Sequence, residues 1–172
     1  MQTFIFTCFS LIILAAGCGD NKKALNISQN KLQELQVSEN KVHVKKESDE
    51  IDQYVKHRSW NMTTTGTGLR YMIYENGKGE KAVFGKMAKV NYKISLMDGT
   101  ICYTSEQTGP KIFLIGQDAI ESGIHEGIQL MKIGDKALFI LPSYLAHGLI
   151  GDENKIPPRS SVIYDIELLS LK

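Results

Sequence analysis

Few residues in this chain could carry covalent or metal chemistry. The three cysteines (Cys8, Cys18, Cys102) and the four histidines (His43, His57, His125, His147) stand at no spacing that would close a metal site. Cys102 has no base at a readable interval, so it is expected to be a small buried thiol rather than a nucleophile. His147 by itself reads as a loop histidine, and Asp152-Glu153-Asn154-Lys155 as a solvated loop tip. Tyr92, Phe113, Ile124 and Tyr164 are residues of the kind that fill the core of any sheet protein. Nothing here calls for a cofactor, and a net charge of +1 gives no general attraction to nucleic acid. One cysteine has distinctive surroundings. Thr3 to Gly17 is largely apolar, is too short to span a bilayer comfortably, and ends in the small residues Ala15-Ala16-Gly17 directly before Cys18.

That ending, Leu14-Ala15-Ala16-Gly17-Cys18, resembles the bacterial lipobox. The resemblance implies a signal peptide over residues 1–17, a diacylglycerol on the Cys18 thiol, and a membrane anchor on the periplasmic side of the cell envelope. Two or more acyl chains hold a protein stably, at about 0.8 kcal/mol per buried methylene. Gly19 after the cysteine favours the outer membrane, while the Met1-Gln2 start lacks the usual Lys or Arg.

The elements behind the anchor follow from composition and period. Residues 18–47 are polar and lack aromatics, which predicts a flexible tether. Residues 48–65 form a short helix and lead-in: Ser48 as N-cap, Asp49 and Glu50 in the first turn, and Ile51, Tyr54 and Val55 on one face. From Gly66 the period changes to two. Leu69, Tyr71 and Ile73 mark one strand; Ala88, Val90, Tyr92, Ile94 and Leu96 mark a second, ended by Asp98-Gly99. Ile112–Ile115, Lys136–Leu141 and Val162–Leu168 give three more. Ile120, Ile124, Ile128 and Met131 recur at helical spacing between them. The expected fold is α+β: a curved antiparallel sheet over a short amphipathic helix, preceded by the tether and the first helix.

Residues 66–172 carry seven short motifs in one order. They are Val90-Asn91-Tyr92, Asp98-Gly99-Thr100, Gly123-Ile124-His125-Glu126-Gly127, Leu130 to Asp135, Pro142 to Gly148, Ile156-Pro157-Pro158, and Tyr164 to Leu169. In that order they resemble the FKBP family of peptidyl-prolyl isomerases. With Thr65-Gly66-Thr67-Gly68-Leu69-Arg70-Tyr71 and the lipobox, the chain is similar to FKBP lipoproteins of the Bacteroidetes type, including gliding-associated ones. The resemblance implies an isomerase acting on proline-containing polypeptide clients and assisting the folding of envelope proteins. It also implies a site built from Tyr92, Tyr103, Phe113, Ile120, the backbone N–H of Glu121, Ile124, His147, Ile156 and Tyr164. Four positions depart from the family pattern. Cys102-Tyr103 stands where Phe-Asp is common, Ile124 where Trp is usual, Lys111 where an aromatic is common, and His147 where the loop has tyrosine. The alternative is a non-catalytic module that holds proline segments, in either case serving motility or envelope assembly.

Overall fold

The computed structural model describes residues 20–172, so the signal segment and Cys18 lie outside the described residues. Among these residues no helix is long and apolar enough to cross a membrane.

Helix α1 runs from Asp20 to His57. The stretch predicted as a tether is therefore helical from Asp20 onward. The reason is local: no Gly or Pro interrupts residues 20–57, and Lys, Leu, Gln and Glu, all good helix formers, recur throughout. Side chains 29–46 are exposed, so composition alone carries this part. Up to Val42 the helix is a unit of its own, and from His43 it belongs to the folded domain. Ser48, predicted as the cap, is instead inside the helix, where its hydroxyl accepts a bond from Arg70 Nη2 at 2.6 Å.

Seven antiparallel strands follow: β1 (Thr63–Thr64), β2 (Arg70–Glu75), β3 (Met87–Leu96), β4 (Ile101–Thr104), β5 (Lys111–Leu114), β6 (Lys136–Leu141) and β7 (Val162–Leu171). Their order is β1-β2-β6-β7-β3-β4, with β5 also paired to β3. The long strand β3 pairs with β7 along one edge; its other edge takes β5 at Met87–Val90 and β4 at Lys93–Ser95. Two short helices, α2 (Ser105–Thr108) and α3 (Ser122–Ile128), and a 3-10 turn (Ser143–Leu145) complete the domain.

Because side chains alternate along a strand, the β6–β7 pair serves two cores. Phe139, Leu141, Val162, Tyr164, Ile166 and Leu168 face the main core with Ile124 and Ile128 of α3. Ile140 and Ile163 face the other way and meet Ile51 of α1, with Tyr54, Val55 and Trp60 around them. Burying Ile51 fully contributes about 1.5–3 kcal/mol, and Arg70, itself buried, closes the contact by donating twice to Asp52 Oδ1, at 2.9 and 3.1 Å.

Helix α3 lies very close to β6. A Cβ on Gly127 would stand 2.8 Å from the Phe139 ring, which is fully buried and has nowhere to go. Gly127→Ala is therefore expected to lower stability by about 1–2 kcal/mol, the overpacking cost less the gain in helix propensity. A urea midpoint unchanged or raised would contradict this packing.

Candidate active site

Strands β3, β4, β5 and β7, the turn before α3 and the β6–β7 loop enclose a cavity of about 240 Å³. Tyr92, Tyr103, Phe113, Ile120, Glu121, Ile124, His147 and Tyr164 all line it. The same wall includes Val90, Ile94 and Ile166, which alternation marks only as core, and Lys111. Ile156 is different: it is buried in the main core and forms no part of the wall.

Each side chain is held by a local device. On β3 the Tyr92 N–H donates to Ser105 Oγ at 3.1 Å, and the Tyr92 hydroxyl lies 2.7 Å from Thr108 Oγ1, tying α2 to the pocket edge. Phe113 is buried and meets the His125 ring edge-on, with centroids 5.9 Å apart. His125 in turn fixes the turn before α3: Nδ1 accepts the Gly116 N–H at 2.8 Å and Nε2 lies 2.9 Å from Asp118 O. A neutral ring with its proton on Nε2 satisfies both bonds. Ile120 and Glu121 project from that turn. The Glu121 N–H has no intramolecular hydrogen-bond partner among the described residues, which leaves a donor free beside an apolar cavity.

Polar groups gather in two clusters. In the first, the Tyr164 hydroxyl donates to Glu121 Oε1 at 2.8 Å. Burial, reinforced by the Glu121 charge and this bond, raises the Tyr164 phenol well above its ordinary value, so it stays protonated. His147 Nε2 stands 3.1 Å from the same Glu121 oxygen but is not aligned for a hydrogen bond, making this a close polar contact only. Sequence reasoning assigned the Glu121 backbone and not its carboxylate, which no motif advertises.

Glu153, Asn154 and Lys155 are exposed, as expected of a solvated loop tip, but Asp152 is half-buried and anchors the second cluster. Tyr103 of β4 donates its hydroxyl to Asp152, whose Oδ1 also accepts the Ile156 N–H at 2.7 Å and the Asn154 N–H at 3.0 Å. A phenol on the strand and a carboxylate on the opposite loop thus tie β4 to the β6–β7 loop. An Asp followed two residues later by a turn-forming Asn was the available signal. Burial would raise the Asp152 carboxyl, but the bonds from Tyr103 and the two amides outweigh it and hold the group below its ordinary value. Cys102, itself on β4, is buried and free, and burial raises its thiol, so it is no nucleophile.

Because the Asp152 carboxyl is depressed in the fold, its contribution is complete above the unfolded value of 3.8 and is lost as pH falls through the lower folded value. The stability advantage of the native chain over Asp152→Asn, read from urea midpoints across pH, is expected to be constant from neutral pH down to about 3.8 and to be lost below it. An advantage that disappears near neutral pH would rule out this role.

Comparison with known proteins is consistent with the geometry. A family model described as FKBP-type peptidyl-prolyl cis-trans isomerase matches residues 78–169. The probable FKBP-type isomerase FkpA of Neisseria meningitidis serogroup B is 30% identical over 156 residues, covering 87% of this chain and 57% of that protein. FkpA of Escherichia coli K12 is 34% identical over 137 residues, 74% of this chain and 50% of that protein. The chain thus spans about half the length of these curated relatives. The crystal structure of Escherichia coli FkpA superposes with a TM-score of 0.65 at 29% identity, covering 92% of this chain and 74% of that one.

Proposed function

The chain belongs to the FKBP-type peptidyl-prolyl cis-trans isomerase family, and on that premise we propose that its cavity isomerises X–Pro bonds in polypeptide clients. The observation that carries this is an apolar cavity with the unpaired amide donor of Glu121 at its wall. The uncatalysed barrier is about 18–20 kcal/mol and comes mainly from amide resonance. A dry apolar wall disfavours the polar planar amide relative to the twisted one, in which conjugation is broken. With the proline ring against Tyr92, Phe113, Ile120 and Ile124, the preceding carbonyl can take the Glu121 N–H. No bond is made or broken and no proton has to move. The site therefore needs shape and one donor rather than a nucleophile.

A second reading, holding proline segments without turning them, draws on His147. Its Nε2 is buried against Glu121 rather than open to the cavity. Proline-limited refolding of a test protein separates the two. Acceleration by the native chain supports isomerisation, whereas peptide binding without acceleration supports holding alone. Half-buried Ile120 gives the graded check: Ile120→Ala is expected to lower kcat/KM about five- to tenfold through lost apolar contact. An unchanged value would remove Ile120 from the site.

We extend the proposal to location. The lipobox supports an anchor at Cys18 and work on envelope proteins at the periplasmic face, with Gly19 favouring the outer membrane. Cys18→Ser is expected to move the protein from the membrane to the soluble fraction. Continued sedimentation with membranes would overturn the lipid anchor.

A further inference from the structure

Among the described residues the buried polar or charged side chains are Arg70, Asp135, Ser143 and Ser161. Asp135 closes a turn of its own, accepting the Gly77 N–H at 2.6 Å and the Lys132 N–H at 2.7 Å. The other three all turn to one short stretch of α1. Arg70 meets Ser48 and Asp52, while Ser143 and Ser161 both meet Glu47. Glu47 Oε1 accepts the Ser143 N–H at 2.7 Å and the Ser161 hydroxyl at 2.6 Å; Oε2 accepts the Ser143 hydroxyl at 3.0 Å.

The position of these two serines gives the contact its meaning. The β6–β7 ladder ends at the pair Leu141–Val162. Ser143 and Ser161 lie just beyond it, at the two feet of the loop that carries His147 and Asp152. Glu47 therefore acts as a further rung, made by a side chain where the backbone ladder has run out. From there the loop is laced inward: the Gly148 N–H donates to Ser143 O at 2.7 Å and the Arg159 N–H to Gly148 O at 3.0 Å. Arg159 also reaches back to α1, its Nη1 standing 3.1 Å from His43 Nε2. Bonds to an ionised acceptor are roughly twice as strong as neutral ones, and this carboxylate takes three.

We propose that Glu47 is a positioning residue for the pocket: by tying both feet of the β6–β7 loop, it sets where His147 and Asp152 stand. This rests on the isomerase reading for its catalytic consequence, though not for its structural one. Glutamine can keep the arrangement, since its carbonyl accepts from the Ser143 N–H and Ser161 while its amide donates to the Ser143 hydroxyl. Alanine cannot.

The test measures prolyl-peptide kinetics and amide hydrogen exchange on the full chain with Glu47→Ala, Glu47→Gln and the milder Ser161→Ala. Glu47→Ala is expected to lower kcat/KM about tenfold, the scale of a small misplacement of pocket groups, with Glu47→Gln restoring it to within about threefold. Exchange should quicken across residues 143–161 and stay unchanged on β3. If Glu47→Ala does not fold, Ser161→Ala, which removes one bond of three, decides by the same loop-confined pattern. Unchanged rates with unchanged loop exchange overturn the proposal, and so does a loss spread evenly over the whole sheet. Should the native chain fail to accelerate prolyl isomerisation, the isomerase reading falls. The exchange pattern alone then upholds or overturns the role of Glu47.

Discussion

The strand pair β6–β7 has to be buried on both faces at once, and most of what the domain does depends on that. One set of alternating side chains, Phe139, Leu141 and Tyr164 among them, builds the side on which the cavity lies. The other set, Ile140 and Ile163, would face water if α1 did not cover it with Ile51. A one-residue slip of this pair would exchange the two sets and destroy both cores, so each face locks the register for the other. The helix ahead of the isomerase domain is thus part of its construction from His43 onward.

The same division explains which features could be read from the residues. Alternation along Ala88–Leu96 and Val162–Leu168 marked the central strands, and the helical spacing of Ile124 and Ile128 marked α3. Those signals are strong because burial on one side imposes a period. Strand β4 is not legible because its four residues, Ile101–Thr104, mix apolar and polar types and lack the continuous apolar run that marks Ile112–Ile115. Residues 20–47 are helical for a different reason. Low hydrophobicity removes the incentive to pack, but it does not remove the local preference of Lys, Gln, Glu and Leu for helical backbone. Ser48 failed as a cap once that preference carried the helix past it.

At the cavity the apolar wall was legible and the polar network was not. Tyr92, Ile124 and Tyr164 could be set in place by motif order, and Phe113 by the short apolar strand that carries it. The carboxylates could not, because Asp152 lies 49 residues from the Tyr103 hydroxyl it accepts from, and Glu121 lies 43 from Tyr164. Long-range polar pairs leave no periodic trace in one sequence. The pairing of a phenol on the strand with an acid on the loop keeps β4 joined to the β6–β7 loop, although Tyr103 stands where aspartate is common.

Cys102 gives the molecule a property that has nothing to do with chemistry at the site. Its thiol is the one cysteine among the described residues, and it is buried on β4 with its sulfur 3.7 Å from the Lys155 carbonyl. Lys155 in turn holds the Cys102 carbonyl at 2.9 Å, so strand and loop cover the sulfur jointly. An alkylating reagent reaches it only when that cover lifts. In a chain whose other thiols are blocked, the speed of Cys102 labelling becomes a timer for the departure of the loop from β4. It would report opening events too brief or too rare to appear in any averaged structure.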